Sequence, residues 1–190
     1  MLMFRAVMIK KKQEAEDTMI KIIGCMLVII GCGAIGFFEA EKMKKRLLEM
    51  QYIKRYVLFM KAEIRYGNKT LPETFLQLEK RANGVWKDFF GRTGKKLWNT
   101  SNGTLSYVWE KEVENSLSSS LLREAEKKEW KELGENLGYL DQEMQINLLE
   151  IYEQHLGESI EKEKEKMSTQ TKLYQVLGVM SGIFIVVILV

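Results

Sequence analysis

The chain has little that would break or cross-link a helix. It carries one proline and two cysteines in 190 residues. Proline locks φ and lacks an N–H, so a chain almost free of it can run long helices. Both cysteines, Cys25 and Cys32, fall inside one apolar run. That placement excludes a disulfide framework and leaves the polar part without a thiol. The one histidine, His155, stands beside Glu153 and Glu158 with no second His and no Cys near it, so neither a metal nor a cofactor is expected. An excess of one charge is missing too: 29 basic and 26 acidic residues leave a net +3. Nucleic acid favours a concentrated basic face, so it is not expected as a partner.

What the chain does have is two uncharged apolar runs. The first covers 17 residues from Ile22 to Phe38 and the second 18 residues from Leu173 to Val190. A membrane-spanning helix needs roughly 17–25 residues. Two transmembrane helices are therefore expected, at 20–38 and 173–190, with a polar domain at 39–172 between them. Residues 1–18 show no sustained period and read as a disordered extension or an over-called start, with Met19 the natural beginning. A cleaved signal peptide fits the first run less well, because the run passes into the acidic Glu39 and Glu41 and then into a helical pattern. Lys42, Lys44, Lys45 and Arg46 follow the first run, and Lys162, Lys164, Lys166 and Lys172 precede the second. Basic residues near span ends favour the cytoplasmic side, which predicts a cytoplasmic domain with both termini outside.

The domain reads as all-α. A stripe of Ala40, Met43, Leu47, Met50, Ile53, Val57, Met60 and Ile64 has spacings of three and four, one face of a long helix. Gly67 and Asn68 end it. Thr70-Leu-Pro-Glu73 is a helix start: Thr70 can cap, Pro72 loses nothing in the first turn, and Glu73 can close a capping box. Further helices are predicted to about Ala82, over Val85–Trp98, from Thr104 to Leu117, and from a Ser118–Ser120 cap to Leu137. Gly138 suits a left-handed C-terminal position. Asp141 can cap a last helix that runs by Met144, Leu148, Ile151 and Leu156 into the second span. Six helices suit a compact bundle. Trp86, Phe89, Phe90, Trp98, Tyr107, Trp109 and Trp130 are assigned to its core.

No nucleophile–base set stands out, so no catalytic residues are expected. Gly91-Arg-Thr-Gly94-Lys95-Lys96 lacks both the first glycine of a phosphate loop, where Phe89 stands, and the Ser or Thr after its lysine, where Lys96 stands. Within the apolar runs, Cys32 with Gly36 and Gly178 with Gly182 form small-xxx-small pairs. Such faces let helices approach closely in lipid.

The order of several short segments resembles the stage III sporulation protein AB family. These are Met19-Ile-Lys-Ile-Ile-Gly24, Glu63-Ile-Arg-Tyr-Gly67, Leu71-Pro-Glu73, Trp109, Leu133-Gly134, Leu137-Gly138, Asp141, Gln145 and Leu177-Gly-Val179 with Gly182. The chain departs in its first 18 residues and in Thr70-Leu71-Pro72, where the family commonly has Thr-Pro-Leu. The resemblance implies a six-helix bundle similar to the cytoplasmic domains of platform proteins in type II secretion and type IV pili. It implies a non-enzymatic membrane component of the channel complex between mother cell and forespore. Its partners would be a secretion-type ATPase, like stage III sporulation protein AA, and other channel membrane proteins. Gly134, Gly138, Asp141 and Gln145 carry over as family motif positions. Self-association is left open. A membrane-tethered scaffold or sensor without a secretion role is the alternative reading, and a membrane-bound hydrolase the enzymatic one.

Overall fold

The computed structural model describes the backbone of residues 2–67, 69–99 and 104–189, and side chains for residues 33–167 of these together with scattered positions nearer the termini. It contains six α-helices among the described residues: α1 Leu2–Tyr66, α2 Leu71–Arg81, α3 Val85–Asn99, α4 Leu105–Ser116, α5 Glu124–Leu137 and α6 Gln142–Leu189. No strand occurs among these residues, so the all-α class stands. Helix begins at Leu2.

The chain divides into two compact units. One is Lys45–Lys164, and the other comprises Met1–Lys44 with Glu165–Val190. In the second unit most of the described large apolar residues are exposed, among them Leu27, Phe38, Phe184 and Val187, while Met43 and Met167 are half-buried. No helix is long and apolar enough to cross a membrane among the described residues. Much of both apolar runs, including Ile22, Ile23, Cys25 and Cys32, lies outside the residues whose side chains are described.

The unit Lys45–Lys164 is built on the stripe expected in α1: Leu47, Met50, Ile53, Val57, Met60 and Ile64 are all buried. Against it lies an aromatic core from α2 to α5. Phe75, Phe89, Phe90, Trp109 and Trp130 are fully enclosed. The Trp109 ring lies 4.9 Å from both Phe89, edge-on, and Trp130. Tilted and edge-on rings suit the aromatic quadrupole. Each large apolar side chain so buried stabilises the unit by about 1.5–3 kcal/mol. Gly91 and Gly94 lie inside α3, where Gly91 faces the Glu79 side chain and Gly94 the Leu76 side chain of α2. This segment brings two helices close and forms no phosphate-binding loop.

Four expectations need correction. Trp98 and Tyr107 are 62% and 59% exposed, so neither belongs to the core. Trp98 steps off the α3 face carried by Trp86, Phe90 and Thr93, and Tyr107 steps off the α4 face of Leu105, Val108 and Trp109. The buried face of α6 is Ile146, Leu149, Leu156 and Ile160, whereas Met144 and Ile151 are exposed. Two stripes with helical spacing coexist on α6, and periodicity alone could not choose between them. Helix α5 starts at Glu124, with Arg123 before it and Glu126 accepting from the Arg123 N–H at 2.8 Å. Ser118–Ser120 therefore do not cap it. Gly138 has φ −75° and ψ −16°, a right-handed conformation. Among the described residues the one glycine with positive φ is Gly84.

Candidate functional site

The four motif positions of the α5–α6 connection form one structural unit. A Cβ on Gly134 would fall inside the Trp109 ring, so only glycine lets α5 lie against that indole. Trp109 Nε1 in turn donates to the Trp130 carbonyl at 2.8 Å. A Cβ on Gly138 would stand 2.9 Å from Leu105 Cβ of α4. Asp141 caps α6 by accepting from the Met144 N–H at 2.9 Å. Gln145 Nε2 donates to the carbonyls of Leu137 at 3.0 Å and Leu140 at 3.1 Å. A side-chain amide thus satisfies the end of α5, which removes the need for a left-handed residue at Gly138. Gln142 extends the joint by donating to the Ile64 carbonyl at the end of α1.

The other candidate positions lie in the terminal segments and are not brought into this joint. Gly36 is buried, and Gly178 is partly exposed, its carbonyl accepting from Ser181 Oγ at 3.0 Å. The side-chain environments of Cys32 and Gly182 lie outside the described residues.

Three charged hubs, centred on Arg46, Glu49 and Glu112, escaped the sequence reading. Arg46 of α1 is buried and holds Glu126 of α5 in a two-pronged pair, Nε at 3.1 Å and Nη2 at 2.5 Å. Its Nη1 donates to Glu163 of α6 at 3.1 Å, and Arg123 reaches the same carboxylate at 3.2 Å. Burial works against the Arg46 charge, but the hydrogen bonds to Glu126 and Glu163 outweigh it and raise its pKa. Paired forks of this kind are the stronger ion pairs, and they fix geometry. Arg46 is therefore a structural cation shared by three helices and no longer counts in the basic cluster after the first apolar run.

Glu49 accepts from Trp86 Nε1 at 2.8 Å, Ser120 Oγ at 2.7 Å and the Leu121 N–H at 2.9 Å. It ties the α4–α5 loop and α3 to α1, which is the actual use of Ser120. Glu112, 1% exposed, is held by Lys96 at 2.5 Å and by Ser116 Oγ at 3.2 Å. A usable signal was present in the sequence. Arg46 stands four residues before Met50, and Glu112 stands between Trp109 and Val113 and Ser116. A charge at core spacing must find a partner.

His155 is exposed and lies 3.6 Å from Glu129. Among the described residues no three His, Cys, Asp or Glu gather where a metal ion could be held. Arg46, Glu49, Glu112 and Gln142 each join helices or loops of this unit through polar contacts.

Residues 21–190 match the stage III sporulation protein AB family. The chain belongs to that family. Stage III sporulation protein AB of Bacillus subtilis (strain 168) is 22% identical over 171 residues, covering 90% of this chain and 99% of the relative. A solved structure of a stage III sporulation protein AB superposes with a TM-score of 0.59 at 21% identity, covering 65% of this chain and 97% of that structure. At that identity the structural likeness concerns the fold. Family membership carries a role in sporulation, and these relatives are named for that process and for no reaction.

Proposed function

We propose that the chain is a non-enzymatic membrane platform in the sporulation channel complex between mother cell and forespore, where it couples a secretion-type ATPase to the channel. The observation that carries this reading is the family match over 21–190. The uncharged runs Ile22–Phe38 and Leu173–Val190 support anchoring at both ends, and exposed Leu27, Phe38, Phe184 and Val187 have the character of lipid-facing side chains. The location is the mother-cell-derived outer forespore membrane, with the bundle on the cytoplasmic side and other channel membrane proteins beside it. Lys42, Lys44 and Lys45 support that orientation after Arg46 is set aside. Small-residue pairs at Cys32 and Gly36 and at Gly178 and Gly182 would then pack the spans against other helices.

The test has two arms. A reporter active only outside the cytoplasm should be active when fused after Val190 and silent when inserted at Asn99–Gly103; the reverse pattern overturns the orientation. Purified full chain in detergent should retain a secretion-type ATPase like stage III sporulation protein AA, and deletion of the gene should block sporulation after engulfment begins while leaving vegetative growth normal. Normal sporulation in the deletion strain would overturn the reading as a whole.

A further inference from the structure

Two faces of the unit Lys45–Lys164 carry apolar side chains that nothing in the unit covers, and their charges are opposite. The first is a groove of about 420 Å³ between α1 and α2, walled by Tyr52, Arg55, Phe59 and Arg81. Tyr52 is 47% exposed. The Arg81 guanidinium lies 4.4 Å from the Phe59 ring centre, and that of Arg55 lies 5.6 Å from the Tyr52 ring centre. No carboxylate lines this groove. The second face is a groove of about 310 Å³ between α5 and α6, lined by Leu148, Ile151 and His155 with Glu129 and Glu132. Ile151 is 66% exposed. No lysine or arginine lines it, although Lys128 reaches Glu132 from the rim at 3.7 Å.

The two grooves belong to different helix pairs, α1 with α2 and α5 with α6. Helices α1 and α6 run antiparallel through this unit, with Lys61 on Glu153 at 2.7 Å, Arg65 on Glu150 at 3.8 Å and Arg46 on Glu163 at 3.1 Å. The Lys54 ammonium lies over Gly157 on the same seam. These pairs set Arg55 and Phe59 at the height of the α6 turn between Glu153 and Gly157, which carries His155. Copies standing side by side in one orientation therefore hold the basic groove and the acidic groove at one height along these helices.

We infer that the chain associates with itself through these two faces, the basic aromatic α1–α2 groove of one copy receiving the acidic apolar α5–α6 face of the next. The contact is heterologous: each pair leaves one free face of each kind, and the array grows until a rotation closes it. Complementary charge sets partner and register, and apolar burial holds the contact. The common orientation rests on the membrane anchoring proposed above; the two faces do not.

The test is site-directed cross-linking of the full chain in cells, in a Cys25→Ser, Cys32→Ser background. Two differently tagged versions are co-expressed, one with Phe59→Cys and one with His155→Cys, and treated with a short bismaleimide. Mixed dimers are expected to exceed same-site dimers by about fivefold or more, and a chain carrying both cysteines should form a ladder. Arg55→Glu with Arg81→Glu on the Phe59→Cys version should lower the mixed product about threefold to tenfold, and Glu129→Arg with Glu132→Arg on the other should restore it. Helix content of each variant is checked by circular dichroism, with Tyr52→Cys replacing Phe59→Cys if folding suffers. Same-site dimers as abundant as mixed ones, a mixed product unmoved by charge reversal, cross-links to another protein alone, or no dimer would each overturn the inference. Fractionation of the same cells reads membrane anchoring separately, and the mixed product is scored in whichever fraction holds the chain.

Discussion

Phe89 and Phe38 are the same residue type on helices, yet Phe89 is fully enclosed and Phe38 is 70% exposed. The contrast extends to the two units. In Lys45–Lys164 apolar residues recur every three or four positions between charged ones, and those on the inward stripes, such as Met50, Ile53, Val57 and Met60, are buried. In the terminal segments large ones follow one another without charge, and those described stand exposed. A stripe needs a protein partner, whereas a helix apolar all round needs a protein interior or a bilayer. Apolar content is therefore a poor guide here, and the pattern of polar residues between the apolar ones decides which environment each segment requires.

The largest expected effect breaks that comparison outright. Trp130→Ala removes a side chain that touches Trp86, Phe89, Trp109 and Tyr152. It should cost about 3–5 kcal/mol of unfolding free energy. Phe38→Ala should change the same unfolding transition by less than about 0.5 kcal/mol. Urea unfolding of the full chain in detergent, followed by circular dichroism, checks both. Similar losses would show that the terminal segments and the bundle share one core.

Charge gives the next contrast. Arg46→Met should cost about 2–3 kcal/mol, because two carboxylates on different helices lose a buried forked partner. Lys44, 46% exposed and paired only with Glu41 one turn away, should give less than about 0.5 kcal/mol on replacement by Met. Glycine gives a third. Gly134→Leu drives a side chain into Trp109 and should cost about 1–3 kcal/mol, whereas Gly33→Leu meets nothing within 4 Å and should leave the bundle's transition unmoved. The same denaturation series reads all four variants.

These contrasts also mark what could be read in advance. The α1 stripe, the start of α2 and the cap at Asp141 were legible, because each is written in neighbouring residues by spacing or by a short polar code. The buried face of α6 was not, because Met144, Leu148 and Ile151 are as periodic as Ile146, Leu149 and Leu156, and only the position of α5 decides between them. The roles of Arg46, Glu49 and Glu112 were not assigned, because their partners lie far along the chain and spacing reveals only that partners are needed. Gly134 was legible as a motif position, but its reason, the flat face of Trp109, is a tertiary fact. Of the candidate site, the turn and its cap were visible, and the two oppositely charged grooves were not.

The smallest expected effect is at a place where polar detail alone sets the structure. Glu73 accepts from the Thr70 N–H at 2.8 Å and lies 3.0 Å from Thr70 Oγ1, closing the first turn of α2. The backbone hydrogen bond from Thr70 is the main reason its pKa is lowered, followed by the Thr70 hydroxyl, with Lys69 adding a smaller attraction. A carboxylate whose folded pKa lies below its unfolded one stabilises the fold above the unfolded value. That contribution fades as pH falls through the folded value. Glu73→Gln keeps an oxygen that can accept from Thr70 but removes the charge and its titration. The variant should therefore be slightly less stable than the parent at neutral pH, and the gap should shrink on acidification and close once the pH lies below the lowered folded pKa of Glu73. Paired urea midpoints across that pH range check it. A gap that stays constant or widens toward acid would mean that the carboxylate charge plays no part in starting α2, and that the oxygen's shape alone does the capping.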